Sequence, residues 1–459
     1  MKWRQSLIYL LILLSVGGYF YYFEVVKKEE KQTAEKEARK VFRAQADSIK
    51  ALEIISKDKK AVKLKNEAQW KILEPVQADT DKGALEGFLH ALSNLELEKE
   101  IAAAPQDLKP YGLQEPVLKI RFETGGQWQE LILGDKNPIG GGYYARTADK
   151  PNVILIAGGN WATLNKGLDE LRKKELFSFQ PNEVAEIQMT WQDGSDVHLE
   201  RTEGGIGWKA PEQPDIKIKT GKVDNVLEQI QWLRAQSFIE NAPASLEAQG
   251  LQPPEVTVKL RLKENRNVGL LLGKKDEEKH QVTAVSTELP GVVEIEAGVL
   301  EEIPRNVSAL EDRSIFGVKS EEVKEVKWRL GETQGNAVRT DEKTWALRHD
   351  GSDPKPMKDS WHVKSLLWDL GDAEYTTKLS PVPAVPEQPH GRLECLNGEK
   401  SLVTLSWGKP SEGDDSVATV WIDRGGEPEA VRVKAETIDR LEQDLNRILQ
   451  PGQEKGGAS

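Results

Sequence analysis

One cysteine, six histidines and three methionines in 459 residues leave this chain short of the side chains that bind metals or carry redox chemistry. A lone Cys395 excludes an internal disulfide framework and any cysteine-based zinc site. It sits in the run Arg392-Leu393-Glu394-Cys395-Leu396, as a small strand residue would. No cysteine directly follows the apolar N-terminal segment, so a lipoprotein anchor is excluded. Positive charge is also in deficit: 63 Lys and Arg face 75 Asp and Glu, for a net charge of −12. Phosphate binding needs a cationic surface, so nucleic acid is not an expected partner, and broad adhesion to anionic lipid is disfavoured.

Catalytic and cofactor motifs are equally scarce. His90, His198, His280, His349, His362 and His390 form neither H-x3-H nor H-E-x-x-H spacing, so no zinc site is expected. His90 falls beside Leu89 on a helix pattern, as a partly exposed side chain. His349 with Asp350 and Asp353 reads as a solvated Asp-Gly-Ser-Asp turn rather than a metal site. Gly140, Gly141 and Gly142 lack the Lys-Ser or Lys-Thr of a phosphate loop and read as a wide hairpin turn. Ser56-Lys57-Asp58-Lys59 matches S-x-x-K, but a nucleophilic pair needs a desolvated lysine and this one lies among charges. No G-x-S-x-G elbow occurs. The carboxylate pairs Glu277-Glu278, Glu301-Glu302 and Asp414-Asp415 read as surface charge. Neither catalytic nor metal nor cofactor-binding residues are assigned, and no enzyme is expected.

What is present begins with a short tail, 1–6, and an uncharged run, 7–23, ending in five aromatics, Tyr19 to Phe23. At about 1.5 Å per residue it reaches roughly 25 Å, near the lower limit for a membrane span. The aromatics suit an interfacial belt. A cleaved signal peptide, with Val16 and Gly18 before the cut, is the competing reading, but the apolar run continues past that point. Lys2 and Arg4 precede the segment while Lys27, Lys28, Lys31 and Lys36 follow it, so charge count does not fix orientation. Long domains translocate regardless of charge, and the bulk is expected outside the cytoplasm. Residues 24–46 hold no Gly or Pro and read as a charged helical stalk.

The remainder repeats. Trp70, Trp208 and Trp345 are spaced by 208 − 70 = 138 and 345 − 208 = 137 residues. The strand-ending glycines Gly134, Gly273 and Gly408 are spaced by 139 and 135. Gly112-Leu113 and Gly250-Leu251, each followed by a proline, recur in the first two copies. Every copy shows an alternating strand (Leu52 to Ile55, Val184 to Met189, Val323 to Trp328), then the Trp strand, then an amphipathic helix. The helical stripes are Leu85, Phe88, Leu89, Leu92; Val223, Val226, Leu227, Ile230; and Val363, Leu366, Leu367, Leu370. Further strands follow, and a closing helix with Trp161, Leu164, Leu168, Leu171; Leu300, Ile303, Val307, Leu310; or Ile438, Leu441, Leu445, Ile448. Strands, helix, strands, helix predict an α+β fold: three mainly antiparallel sheet domains with covering helices. Their bounds are 47–179, 180–318 and 319–450, with a Pro-rich insertion 380–390 in the third and a disordered tail 451–459. Short junctions near 179–182 and 317–321 predict domains in contact.

The Trp strand with its following Pro75 or Pro211, the helix after it, the Gly-Leu-x-x-Pro element and the Leu-Gly strand end resemble the bacterial family called domain of unknown function 4340. The third copy departs at Trp345, which lacks the proline. The resemblance implies an inner-membrane protein often encoded beside gliding-type ABC-transporter genes. The expected function is a membrane-anchored, extracytoplasmic accessory or scaffold of an envelope complex, with transporter subunits as partners. The alternative is a peptidoglycan- or glycan-binding module using exposed aromatics; an enzyme with a site between domains ranks last.

Overall fold

The computed structural model describes residue 3 and residues 36–240, 245–348, 353–357, 359–408 and 416–449. The expected anchor 7–23, most of the stalk, the tail, His349, Asp350 and the Asp414-Asp415 pair lie outside the described residues. Among the described residues no helix is long and apolar enough to cross a membrane.

The chain carries three antiparallel sheets with few helices and is mostly β. The first copy contributes β1 (Ile49–Ser56), β2 (Val62–Asn66), β3 (Trp70–Glu74), β4 (Ala78–Asp79), β5 (Leu97–Ala102), β6 (Leu118–Thr124), β7 (Gln127–Lys136), β8 (Tyr143–Thr147) and β9 (Val153–Ile156). They lie in the order β4-β3-β2-β1-β6-β7-β8-β9-β5. Two meanders of short hairpins thus stand back to back, joined where Leu52 of β1 pairs Leu64 on one side and Phe122 on the other. Alternation along β1 sends Leu52 and Ile54 inward and leaves Ile55 to solvent.

Between β4 and β5 runs α1 (Lys82–Ser93), capped by Asp81, whose carboxylate accepts from Ala84 N at 2.9 Å. Its stripe, Leu85, Phe88, Leu89 and Leu92, joins one apolar cluster with residues of both meanders. The same cluster takes in Leu164, Leu168 and Leu171 from near the end of the copy. Each fully buried Leu or Phe on α1 contributes about 1.5–3 kcal/mol.

The stalk ends sooner than the charge pattern predicts. Val41 N donates to Leu95 O, and Phe42 packs edge-on against Phe122 at 5.0 Å between ring centroids. Residues 40–46 therefore belong to the packing of the first domain, because a single buried aromatic outweighs its charged neighbours.

By compactness the chain divides into two units: residues 1–205 with 223–306, and residues 206–222 with 307–459. The first unit also holds strands of the second copy: β10 (Val184–Trp191), β11 (Asp196–Arg201), β13 (Ser237–Phe238), β14 (Val256–Leu262), β15 (Asn267–Asp276), β16 (Gln281–Ser286) and β17 (Val293–Glu296). Their order, β11-β10-β14-β15-β16-β17-β13, repeats that of the first sheet. A short β12 (Trp208–Lys209) precedes α2 (Thr220–Gln231), on which Val223, Val226, Leu227 and Ile230 are buried.

The second unit holds the third sheet, in the order β21-β20-β19-β18-β23-β24-β25-β26-β22. Its strands are β18 (Glu325–Leu330), β19 (Thr333–Arg339), β20 (Trp345–Leu347), β21 (Lys355–Pro356), β22 (Thr377–Lys378), β23 (Gly391–Asn397), β24 (Lys400–Trp407), β25 (Val417–Asp423) and β26 (Glu429–Lys434). Its helices are α3 (Trp361–Asp372) and α4 (Ala435–Leu449). Cys395 lies buried on β23, and burial, with Glu394 adding to it, pushes its thiol up to about 12.

The closing helix forms in one piece only in the third copy. In the first it breaks into two single turns, Trp161–Leu164 and Leu168–Leu171, around Gly167. In the second a turn at Val299–Glu302 stops at Ile303, whose ψ of 117° is the extended conformation a following proline imposes. Residues 435–449 contain neither Gly nor Pro and form a continuous helix.

Candidate functional site

After each broken helix the chain straightens into a connector that is paired on both sides. In the first unit Asp81 N donates to Leu171 O and Lys173 N to Asp79 O, while Leu176 N donates to Leu233 O and Ala235 N to Lys174 O. In the second unit Lys219 N donates to Leu310 O and Asp312 N to Lys217 O, while Ile315 N donates to Ala373 O and Tyr375 N to Arg313 O. Backbone pairing on two sides satisfies groups a loose linker would leave to water.

Ion pairs secure both connectors. Arg234 reaches Asp81 at 3.1 Å and also Glu175. Glu374 is held by Lys219 at 2.8 Å and Lys222 at 3.0 Å. Burial pushes the Glu374 carboxyl up, but the two ammonium groups outweigh it and keep it below the ordinary value.

Beside the first connector lies a cleft of about 770 Å³. Trp70, Leu85, Leu89 and Phe177 give it apolar walls, and Lys82, Glu86, His90 and Lys173 also line it. Of its other carboxylates, Asp79 is engaged by Lys71, and Asp81 and Glu175 by Arg234, while Asp47 lines the rim. Trp70 is half-buried here, whereas Trp208 and Trp345 are buried. The three tryptophans are equivalent in the repeat, and the one in the first copy is the more exposed. Its shape and lining suit a bound side chain or peptide segment. Ser178, also in the lining, donates its hydroxyl to Glu288 at 3.0 Å.

The sequence motifs resolve into structural parts. Lys59 pairs with Glu170 and donates to Asn165 O at 2.9 Å, which ties the broken closing helix to the β1–β2 turn. Ser56 Oγ accepts from Asp58 N at 3.3 Å. Gly140 and Gly141 take positive φ in the β7–β8 turn, closed by Asn137 N donating to Gly142 O. Among the described residues no group of three His, Cys, Asp or Glu is placed to hold a metal ion.

Two recurring glycine signals turn out to be one contact. A Cβ on Gly134 would stand 2.0 Å from Tyr111 O and 2.9 Å from the Gly112 carbonyl carbon. Gly273 meets Gly250 O at 3.2 Å in the same way. The Gly-Leu loop thus packs its backbone onto the end of the Leu-Gly strand, where β7 and β15 each break register. Among the described residues, a Cβ on Gly408, in the copy that lacks the loop, would meet nothing closer than Trp421 at 3.9 Å.

Sequence reasoning missed three surface and core features. Trp361 and Trp368 stand 65% and 73% exposed on α3, seven residues apart, opposite the buried stripe. Trp232, at the end of α2, is 70% exposed. Asp444 is buried within the apolar stripe of α4. Residue type assigns tryptophan to the core and aspartate to solvent, whereas the stripe spacing places Trp361 and Trp368 off the buried face of α3 and Asp444 on that of α4.

These features define a tandem sheet-domain protein whose repeats are tied by paired connectors. The model for Domain of unknown function (DUF4340) matches residues 70–254 and again 208–389, together 320 of the 459 residues, and the chain belongs to that family. The matches start at Trp70 and Trp208, one repeat apart, and each contains a complete connector. No curated protein and no solved structure matches the chain.

Proposed function

We propose that the protein is a non-enzymatic, membrane-anchored scaffold of a cell-envelope complex, with its sheet domains outside the cytoplasm and an ABC transporter of the gliding type as the associated machine. The observation that carries this reading is the bare Trp361 and Trp368 face of α3. Two large aromatics left in water on a helix whose other face is filled form a recognition surface. Extraction of the tagged full chain in mild detergent should recover a permease or ATPase subunit, and a Trp361→Ala/Trp368→Ala double variant should lose it. Isolation of the wild type as a lone species defeats the proposal.

A second reading rests on the same class of side chain. Trp128 is 46% exposed with Arg121 over its ring at 5.1 Å, and Trp232 projects from the second copy. Exposed indole faces stack on sugar rings, so an envelope glycan is the alternative ligand. Retention on purified sacculi separates the two readings, because the scaffold requires none.

A further inference from the structure

The helix pair α3 and α4 carries a carboxyl group where packing calls for a hydrocarbon. Asp444 falls between Leu441 and Leu445 on the buried stripe of α4 and is 2% exposed. Its Oδ1 receives Arg447 at 3.3 Å, but its Oδ2 has no donor. The carboxyl of Asp369 on α3 lies within hydrogen-bonding distance of it. Two ionised carboxylates cannot hydrogen-bond; one proton between them makes the contact favourable.

The surrounding charge does not replace that proton. Arg440 approaches Asp369 only to 3.9 Å and is largely exposed. The small cavity beside Asp369 adds Asp372, Glu374 and Glu436 against Lys434 and Arg440, so it is net acidic. From the sheet, β25 and β26 present Ala418, Val420, Ile422, Val431 and Val433 to the same apolar cluster as α4. The single-turn helix Ser320–Glu322, which packs on α3, brings only Glu321 and Glu322, both exposed.

We infer that Asp444 holds a proton that it donates to Asp369, an acid-dependent clamp between α3 and α4, closed in mildly acidic surroundings and loosened near neutrality. The inference is independent of the scaffold reading. Burial, then the hydrogen bond and charge of Asp369, raise the Asp444 carboxyl from 3.8 to about 6. A carboxyl raised on folding adds stability that is complete below its unfolded value and is lost as pH climbs through its folded value. The window is therefore about pH 4 to 6, and the clamp is largely open by pH 8.

Hydrogen–deuterium exchange of the full chain tests this, with rates corrected for the intrinsic pH dependence. Amides of 435–449 should exchange about tenfold faster at pH 8 than at pH 5, the factor that follows from moving one carboxyl from 3.8 to about 6. Amides of α1 in the first copy should show no such change. Asp444→Asn, which donates a permanent hydrogen bond to Asp369, should abolish the dependence and retain the slow rate at pH 8. Asp369→Asn, which leaves Asp444 buried but faces it with a neutral donor, should weaken the dependence and serves if the first variant does not fold. Equal wild-type rates at both pH values, or an unchanged dependence in both folded variants, overturns the clamp.

Discussion

The closing segments of the first and third copies begin with the same spacing of apolar residues and end as different objects. In the first, Gly167 splits the stripe into two turns and releases a connector that is paired on both sides. In the third, fifteen uninterrupted residues form α4 and lie along α3. A single Gly or Pro thus decides whether a repeat closes with a helical cover or passes the chain onward. The glycine contacts differ in the same direction: Gly134 is locked against a loop, and Gly408 stands clear of one.

That contrast can be broken most forcefully at the glycines. Gly134→Ala forces a Cβ onto a backbone carbonyl and should cost about 3 kcal/mol or more in urea unfolding, whereas Gly408→Ala should stay within about 0.5 kcal/mol. Next comes the helix itself. Gln443→Pro inside α4 should destabilise the third domain by about 3 kcal/mol, while Pro304→Ala in the second copy, where the helix is already broken, should cost under about 1 kcal/mol.

The connectors give a smaller effect with a sign. Glu374→Gln should cost about 1 kcal/mol at neutral pH. Because the Glu374 carboxyl is depressed on folding, its stabilisation is present above its ordinary value near 4.5 and lost as pH falls below it. Wild type should therefore lose its advantage over the variant in an acid titration. This is opposite in sign to the Asp444 carboxyl on α4, whose window extends higher. Least of all, Trp361→Ala and Trp368→Ala should leave the unfolding midpoint within about 0.5 kcal/mol, since neither side chain is buried.

The centre of each sheet was legible in the sequence because it obeys simple periods. Leu52, Ile187 and Val326 alternate with polar residues as half-buried strands do, and each lies on a strand paired on both sides. The stripe of α1 was likewise plain, since a half-buried helix repeats near every 3.6 residues. The sheet ends were not. β5 reads Leu-Glu-Lys-Glu-Ile-Ala, a charged edge with no alternation, and β13 and β22 are two residues long. The broken closing helices were signalled by Gly167 and Pro304, but the apolar spacing was read through them. The cleft could not be found, because Trp70 differs from Trp208 and Trp345 in what covers it, which is a tertiary fact. Asp444 was hidden for the converse reason: its neighbours fix its burial, and its own chemistry argues against it.

The back-to-back meanders set the order in which each domain can assemble. Most strand pairs are short hairpins and an edge pair in each sheet spans under sixty residues, but the central seam joins Ile54 to Ile120, Ile187 to Leu260 and Val326 to Cys395, separations of 66, 73 and 69 residues. Hairpins form in microseconds, and closing a chain of some seventy residues is the slower search. Closure entropy grows only with the logarithm of length, so the three seams carry nearly equal costs. Topology alone gives no copy a head start, and a seam strand left waiting has counterparts of similar length and direction in the other copies. Exchange of seam strands between repeats is accordingly the misfolding route this architecture exposes.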